Sequence, residues 1–102
     1  FKPKSLKMRQ ITQKSVQAFL NHRAFNQQNM NVEVNENETK LKLHGNTIAI
    51  LKDGRLFITN CGWESNTTKE RLNALPNVRI QQKNWIWYLN GSEWDGELIE
   101  IK

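Results

Sequence analysis

The sequence predicts an α+β domain: an antiparallel β-meander of about six strands, with an N-terminal helix and a short second helix after strand 4. Three observations carry that expectation. Apolar residues near the start recur at helical spacing, whereas from Met30 onward they alternate at every second position. The turn signals between the alternating stretches are short. They leave room only for antiparallel pairing, because a parallel crossover needs a dozen or more residues.

Ile11-Thr12-Gln13-Lys14-Ser15-Val16 reads as the start of the first helix, with Thr12 as N-cap and Ile11 and Val16 at the spacing of a hydrophobic staple. Val16, Phe19, Leu20 and the stem of Arg23 then share one face, the stripe of a helix lying on a core. Asn26 to Asn29 is a polar connector. Met30, Val32 and Val34 alternate with Asn31, Glu33 and Asn35, which predicts a strand with one wet face. Asn35 to Glu38 turns the chain, Leu41 and Leu43 resume the alternation, and Gly45-Asn46 turns it again. Ile48-Ala49-Ile50-Leu51 is apolar on both sides, as a central, doubly covered strand would be. Asp53-Gly54 is a two-residue hairpin signal, and the chain returns through Leu56 to Thr59.

Cys61 to Pro76 passes from strand to helix. Thr67 is followed three residues later by Glu70, the spacing of a capping box. The helix runs through Lys69, Arg71, Leu72 and Leu75 and stops at Pro76. A stripe of two leucines is too short to hold a helix in isolation, so this one must dock. Val78 and Ile80 begin the next strand, Lys83-Asn84 turns, and Trp85 to Leu89 comes back to Asn90-Gly91. Trp85, Trp87 and Leu89 fall on one face and Ile86 and Tyr88 on the other, and one of these faces must be core. Gly96 marks a bend, and Leu98 to Ile101 adds an edge strand.

A chain of 102 residues, 37% hydrophobic and 25% charged, is one globular domain of modest core. Residues 8–102 form that domain, and residues 1–7 are either a remnant ahead of Met8 or a basic arm. The net charge is +5, of which Lys2, Lys4 and Lys7 supply three, leaving 5 − 3 = +2 for the rest. Residues 1–29 carry Lys and Arg without an acid, while Glu93, Asp95, Glu97 and Glu100 make the last segment acidic. Such a split steers a polyanion to one end or merely solubilises a small domain. No apolar run approaches the roughly 18 residues that span a bilayer, so no membrane association is expected. The basic start leads into ITQKSVQ rather than an apolar signal segment. A single cysteine forms no internal disulfide, which suits a reducing compartment.

HGNTIAI, LFITNCGW, SNTTKERLNAL and WIWYLNG, in that order, resemble a family of small tailed-bacteriophage proteins of unknown function. The shared pattern is Gly62-Trp63 leading to Thr67, Thr68, Lys69, Arg71, Leu72 and Asn73. His44, Gly45, Ile48 and Ala49 match upstream, and Trp87 with Tyr88 downstream. The resemblance covers about residues 40–90. It implies phage origin and a role in the cytoplasm of the infected bacterium, with no activity to transfer.

Catalytic constellations are weak. Cys61 and His44 would make a nucleophile and base only if adjacent strands joined them, and a lone cysteine at a strand end is commonly a small hydrophobe. Two histidines and one cysteine, widely spaced, do not form a zinc site, and Glu64 with Glu70 is an unconvincing acid–base pair. No glycine-rich phosphate loop is present. The expectation is a protein that is not an enzyme and needs no cofactor or metal.

Binding is the better-supported class. Lys69 and Arg71 stand near a helix N-terminus, with Asn66, Thr67, Thr68 and Asn73 as further hydrogen-bonding groups, and the tryptophans offer anchors. The first expectation is a partner protein of the bacterial host, bound for host takeover or anti-defence. Its candidate contacts are Trp63, Thr67, Thr68, Lys69, Arg71, Asn73, Trp87 and Tyr88. The alternative is nucleic acid, with Lys69, Arg71, Arg79 and Lys83 on phosphates beside stacking aromatics. A homodimer through an edge strand is a third possibility. Against these, Lys69 and Arg71 read equally as a solvated helix face, and His44 as plain surface.

Overall fold

The computed structural model describes residues 10–102; the basic segment 1–7 lies outside the described residues. Two helices and nine strands follow one another: α1 (Gln10–Leu20), β1 (Phe25–Gln27), β2 (Met30–Val34), β3 (Glu38–Leu43), β4 (Asn46–Lys52), β5 (Arg55–Ile58), α2 (Asn66–Asn73), β6 (Ile80–Lys83), β7 (Ile86–Leu89), β8 (Ser92–Glu93) and β9 (Ile99–Ile101). A six-stranded sheet has the order β1-β2-β3-β4-β5-β9, and β6-β7-β8 form a second sheet of three strands. Every pairing is antiparallel. The fold is α+β.

Two features depart from a single meander. The polar connector holds β1, paired with β2 from Phe25↔Val32 to Gln27↔Met30, so the second helix follows the fifth strand rather than the fourth. The hairpins after α2 build their own sheet, and only β9 rejoins the large one, beside β5. Both layers share one core that includes Phe19, Met30, Leu41, Ile58, Leu72 and Trp87.

The buried stripe of α1 is Thr12, Ser15, Val16 and Phe19, while Leu20 is exposed. The helix is therefore rotated from the expected face. Thr12 stands inside it rather than at its N-cap, because the hydroxyl is engaged by α2. Val34, expected on the dry face, is exposed. In β4 the run of apolar residues has a different origin from double coverage. Leu41 pairs with Ala49 and Lys42 with Thr47, which leaves Ile48 as a bulge. Ile48 and Ala49 are consequently both buried, and Ile50 and Leu51 only partly so.

The Asp53-Gly54 turn is as expected: both residues have positive φ, 53° and 74°, as a type I′ hairpin requires. The β6–β7 turn is centred on Asn84-Trp85, one residue later than expected, with φ of 53° and 70°. Trp85 occupies the position that Gly45, Gly54 and Gly91 fill in comparable turns, and so leaves the face it would share with Trp87 and Leu89. On the outer face of the large sheet Lys42 Nζ donates to Glu33 (2.9 Å), and this hydrogen bond holds the Glu33 carboxyl below its ordinary pKa. Among the described residues no helix is long and apolar enough to cross a membrane.

Candidate functional site

Helix α2 organises the region where the sequence places its candidates. Its N-cap is Ser65, whose hydroxyl accepts from the Thr68 N–H (3.1 Å) and is hydrogen-bonded to the Thr68 hydroxyl (3.0 Å). Thr67 is thus already helical, and the expected Thr67–Glu70 box is replaced by Ser65–Thr68. Glu70 is drawn elsewhere. Its Oε1 accepts from the Thr12 hydroxyl (2.7 Å) and from the Arg71 guanidinium. Arg71 is 1% exposed and also donates to Thr12 Oγ1 (2.8 Å), Met30 Sδ (3.3 Å) and Asn29 Oδ1 (3.4 Å). This arginine ties α2 to α1 and β2 and is not a surface cation.

The remaining candidates divide in the same way. Thr68 and Trp87 are both 1% exposed, so neither is offered to a partner. Trp87 packs against Trp94, with ring centroids 6.3 Å apart, under the Lys69 ammonium, 5.8 Å from the ring centroid. Lys69 Nζ donates to Gln82 Oε1 (2.8 Å). Asn73 is exposed, but its side chain pins β6: Oδ1 accepts from the Ile80 N–H (2.6 Å) and Nδ2 donates to the Ile80 carbonyl (3.2 Å). Tyr88 is half-buried on the outer face of the small sheet, while Arg79 and Lys83 are exposed near opposite ends of β6. The four cations nominated for phosphate do not converge. The exposed tryptophans are Trp63, at 61%, and Trp85, at 87%.

Two contacts set the direction of α2 along β6. Asn73 meets Ile80, and one turn earlier Lys69 meets Gln82. Four helical residues advance about 6 Å and two strand residues about 6.6 Å, so helix and strand run antiparallel in step. Trp85 follows β6 in the turn to β7.

A cleft of about 320 Å³ opens between the start of α2 and the β3–β4 turn. Leu43 and Ile48 supply an apolar floor, Trp63 a wall, and His44, Asn46, Ser65 and Thr67 a polar rim. No lysine, arginine, aspartate or glutamate lines it. Asn60 lines it too, is 2% exposed, and is held from several sides. Its Oδ1 accepts from the Gly62 N–H (2.8 Å), its carbonyl from the Trp63 N–H (2.8 Å), and its own N–H donates to the Gly96 carbonyl (3.1 Å). The remaining donor, Nδ2, is buried and has no partner among the described residues. A buried donor left unpaired costs about 1–3 kcal/mol.

The hydrogen bond of the Cys61 thiol goes to the backbone and not to His44. The thiol donates to the Thr47 carbonyl (2.7 Å), and burial raises its pKa, the opposite of what a nucleophile needs. Sequence reasoning missed Ser65, Asn60 and the place of Trp85 in the turn. The Ser65-x-x-Thr68 spacing would have found the first; Asn60 and Trp85 depend on partners and turn geometry that no local pattern displays.

Comparison with curated proteins and with solved structures gives no match. The Kyanoviridae Gp96 protein family matches residues 8–100, which include both helices and the cleft. The chain belongs to this family of phage proteins.

Proposed function

We propose that this phage protein is a non-catalytic binding protein that engages a host protein in the cytoplasm of the infected bacterium, serving host takeover or anti-defence. One observation carries the reading: a largely exposed tryptophan, Trp63, walls an uncharged cleft at the start of α2, and a second, Trp85, is also left in water. Exposed tryptophan beside a concave apolar surface is the usual composition of a protein-binding hot spot. Trp85 strengthens the reading, since a bulky residue at positive φ is held in a conformation that glycine adopts far more readily. A phosphate-binding surface has weaker support, because Arg71 is buried and Lys69 is engaged by Gln82 and Trp87.

The test is affinity capture from nuclease-treated bacterial lysate, comparing the unmodified chain with Trp63→Ala and Trp85→Ala. A retained host protein whose recovery falls about ten-fold or more in either variant is the expected result. Equal recovery with all three chains overturns the reading. So does recovery of nucleic acid alone from a parallel lysate without nuclease, released at moderate salt.

A further inference from the structure

We infer that this chain self-associates through the free edge of β9, which pairs antiparallel with β9 of a second copy across a two-fold axis at Ile101. The inference goes beyond the host-protein reading and does not depend on it.

β9 stands at the end of the large sheet, paired on one side with β5. The neighbouring strand shows which of its backbone groups that pairing uses. The Thr59 N–H donates to the Ile48 carbonyl (2.9 Å), so at Thr59 the backbone that leaves β5 faces β4. Alternation then turns Phe57 toward β4, and Leu56 and Ile58 toward β9. Leu56 is in register with Ile101 and Ile58 with Ile99, so these two pairs carry the bonds between the strands. The N–H and carbonyl of Glu100 therefore point out of the sheet, and the strand period gives Lys102 the same direction.

The other sheet edges are guarded. On β6, the Asn73 side chain occupies both the N–H and the carbonyl of Ile80. β8 has two residues, and β1 has three, of which Asn26 and Gln27 are polar and exposed. Covered, short and polar edges are the usual protection against strand addition. β9 differs, because Leu98 and Ile99 are exposed where it begins.

Charge selects the strand that fits this edge. Outward-facing residues must meet outward-facing residues, so a second copy can be centred on Ile99, Glu100 or Ile101. Centring on Glu100 opposes two carboxylates, and centring on Ile99 sets each carboxylate against Leu98. Centring on Ile101 sets Glu100 of each copy against Lys102 of the other, twice by symmetry. Within its own chain Glu100 has a long ion pair with Arg55 (3.8 Å), beyond hydrogen-bond distance, so its carboxylate is open to a second cation. On the opposite face the same register brings the two Ile101 side chains together as a non-hydrogen-bonded pair, the closer kind. Ile99 then lies on the diagonal, within reach of Ile101 of the second copy.

Sedimentation equilibrium of the unmodified chain tests this, together with amide hydrogen exchange followed by NMR at low and high concentration. The expected result is a monomer–dimer equilibrium in which the Glu100 amide gains protection as the dimer forms. The Ile99 and Ile101 amides, bonded to β5, should be protected at both concentrations. Glu100→Lys and Lys102→Glu should each raise the dimer Kd about ten-fold or more, and the two together should restore it. The exchange readout uses the unmodified chain, so it decides the question even where a variant unfolds. A monomer at millimolar concentration, a dimer that leaves the Glu100 amide unprotected, or a folded double variant no better than the single ones overturns the inference. Protection of Glu100 that appears only on adding a bacterial lysate assigns the edge to another chain and overturns it too.

Discussion

Where α2 meets α1, Thr12, Glu70 and Arg71 are brought together and joined by hydrogen bonds that extend to Met30 and Asn29. At the N-terminal end of the same helix, Asn60 is buried with one donor that has no partner among the described residues, beside Trp63, which is left largely in water. The first arrangement is closed. Its polar groups answer one another, which is how a fold buries polarity without loss. The second is open, and its residues line a cleft. Trp87 Nε1 is also buried without a partner among the described residues, but it sits under Lys69 and beside Trp94 and does not line that cleft. The difference separates a polar group whose bonds are all internal from a segment that lines a cleft.

The sharpest way to break the open side is Gly96→Ala. Gly96 has φ of +90°, and an added Cβ would lie 2.3 Å from both Asn60 Nδ2 and Oδ1. The Asn60 side chain cannot withdraw without losing the bond its Oδ1 accepts from the Gly62 N–H, and its backbone is held by Trp63 and Gly96. Strain and overpacking together predict a loss of about 3–4 kcal/mol in a chemical unfolding experiment. Gly54→Ala is the control, because Gly54 also has positive φ but nothing lies within 4 Å of its added Cβ. It should lose about 1–2 kcal/mol, the backbone contribution alone. Equal losses in the two variants would show that the Asn60 contact is unimportant.

On the closed side, Arg71→Met is expected to cost about 2–3 kcal/mol. Breaking a buried ion pair usually costs more, but the Glu70 side chain is 30% exposed and can regain water. Adding Glu70→Gln should recover part of the loss, since the remaining carboxylate is what the missing arginine strands. Partner capture per folded molecule should not change. A loss of capture without a loss of stability would move Arg71 from the closed side to the open one.

Sequence pattern reached the elements whose causes are local and stopped where causes are distant. Leu41 and Leu43 alternate with lysines and are buried as the period demands, and Asp53-Gly54 specifies its turn by the φ values it permits. Arg71 reads as a helix-surface cation because its partner Thr12 is 59 positions away. The second sheet was illegible for the same reason, as alternation gives a strand two faces but does not say which sheet it joins. W-I-W has the strand period and so groups Trp85 with Trp87 on one face, whereas the turn removes its first member from the strand. The cleft is assembled from the β3–β4 turn, the Asn60 segment and the start of α2, so its residue types were visible and their meeting was not.

Trp85→Gly gives the smallest effect on stability and the most telling sign. Every residue so far placed on the closed side should destabilise when changed. Trp85, at φ of 70° and 87% exposed, should do the reverse. Glycine relieves the left-handed strain, and its greater freedom in the unfolded chain offsets part of that gain, leaving about 0.5–1 kcal/mol of added stability. Tm should rise by roughly 4 °C for a domain of this size. The same substitution should weaken capture of the partner, because it deletes one of the two exposed aromatic anchors. A variant more stable and less competent would identify Trp85 as held in strain for binding. If instead stability falls, the indole is supporting the β6–β7 hairpin and Trp63 alone carries the aromatic contact.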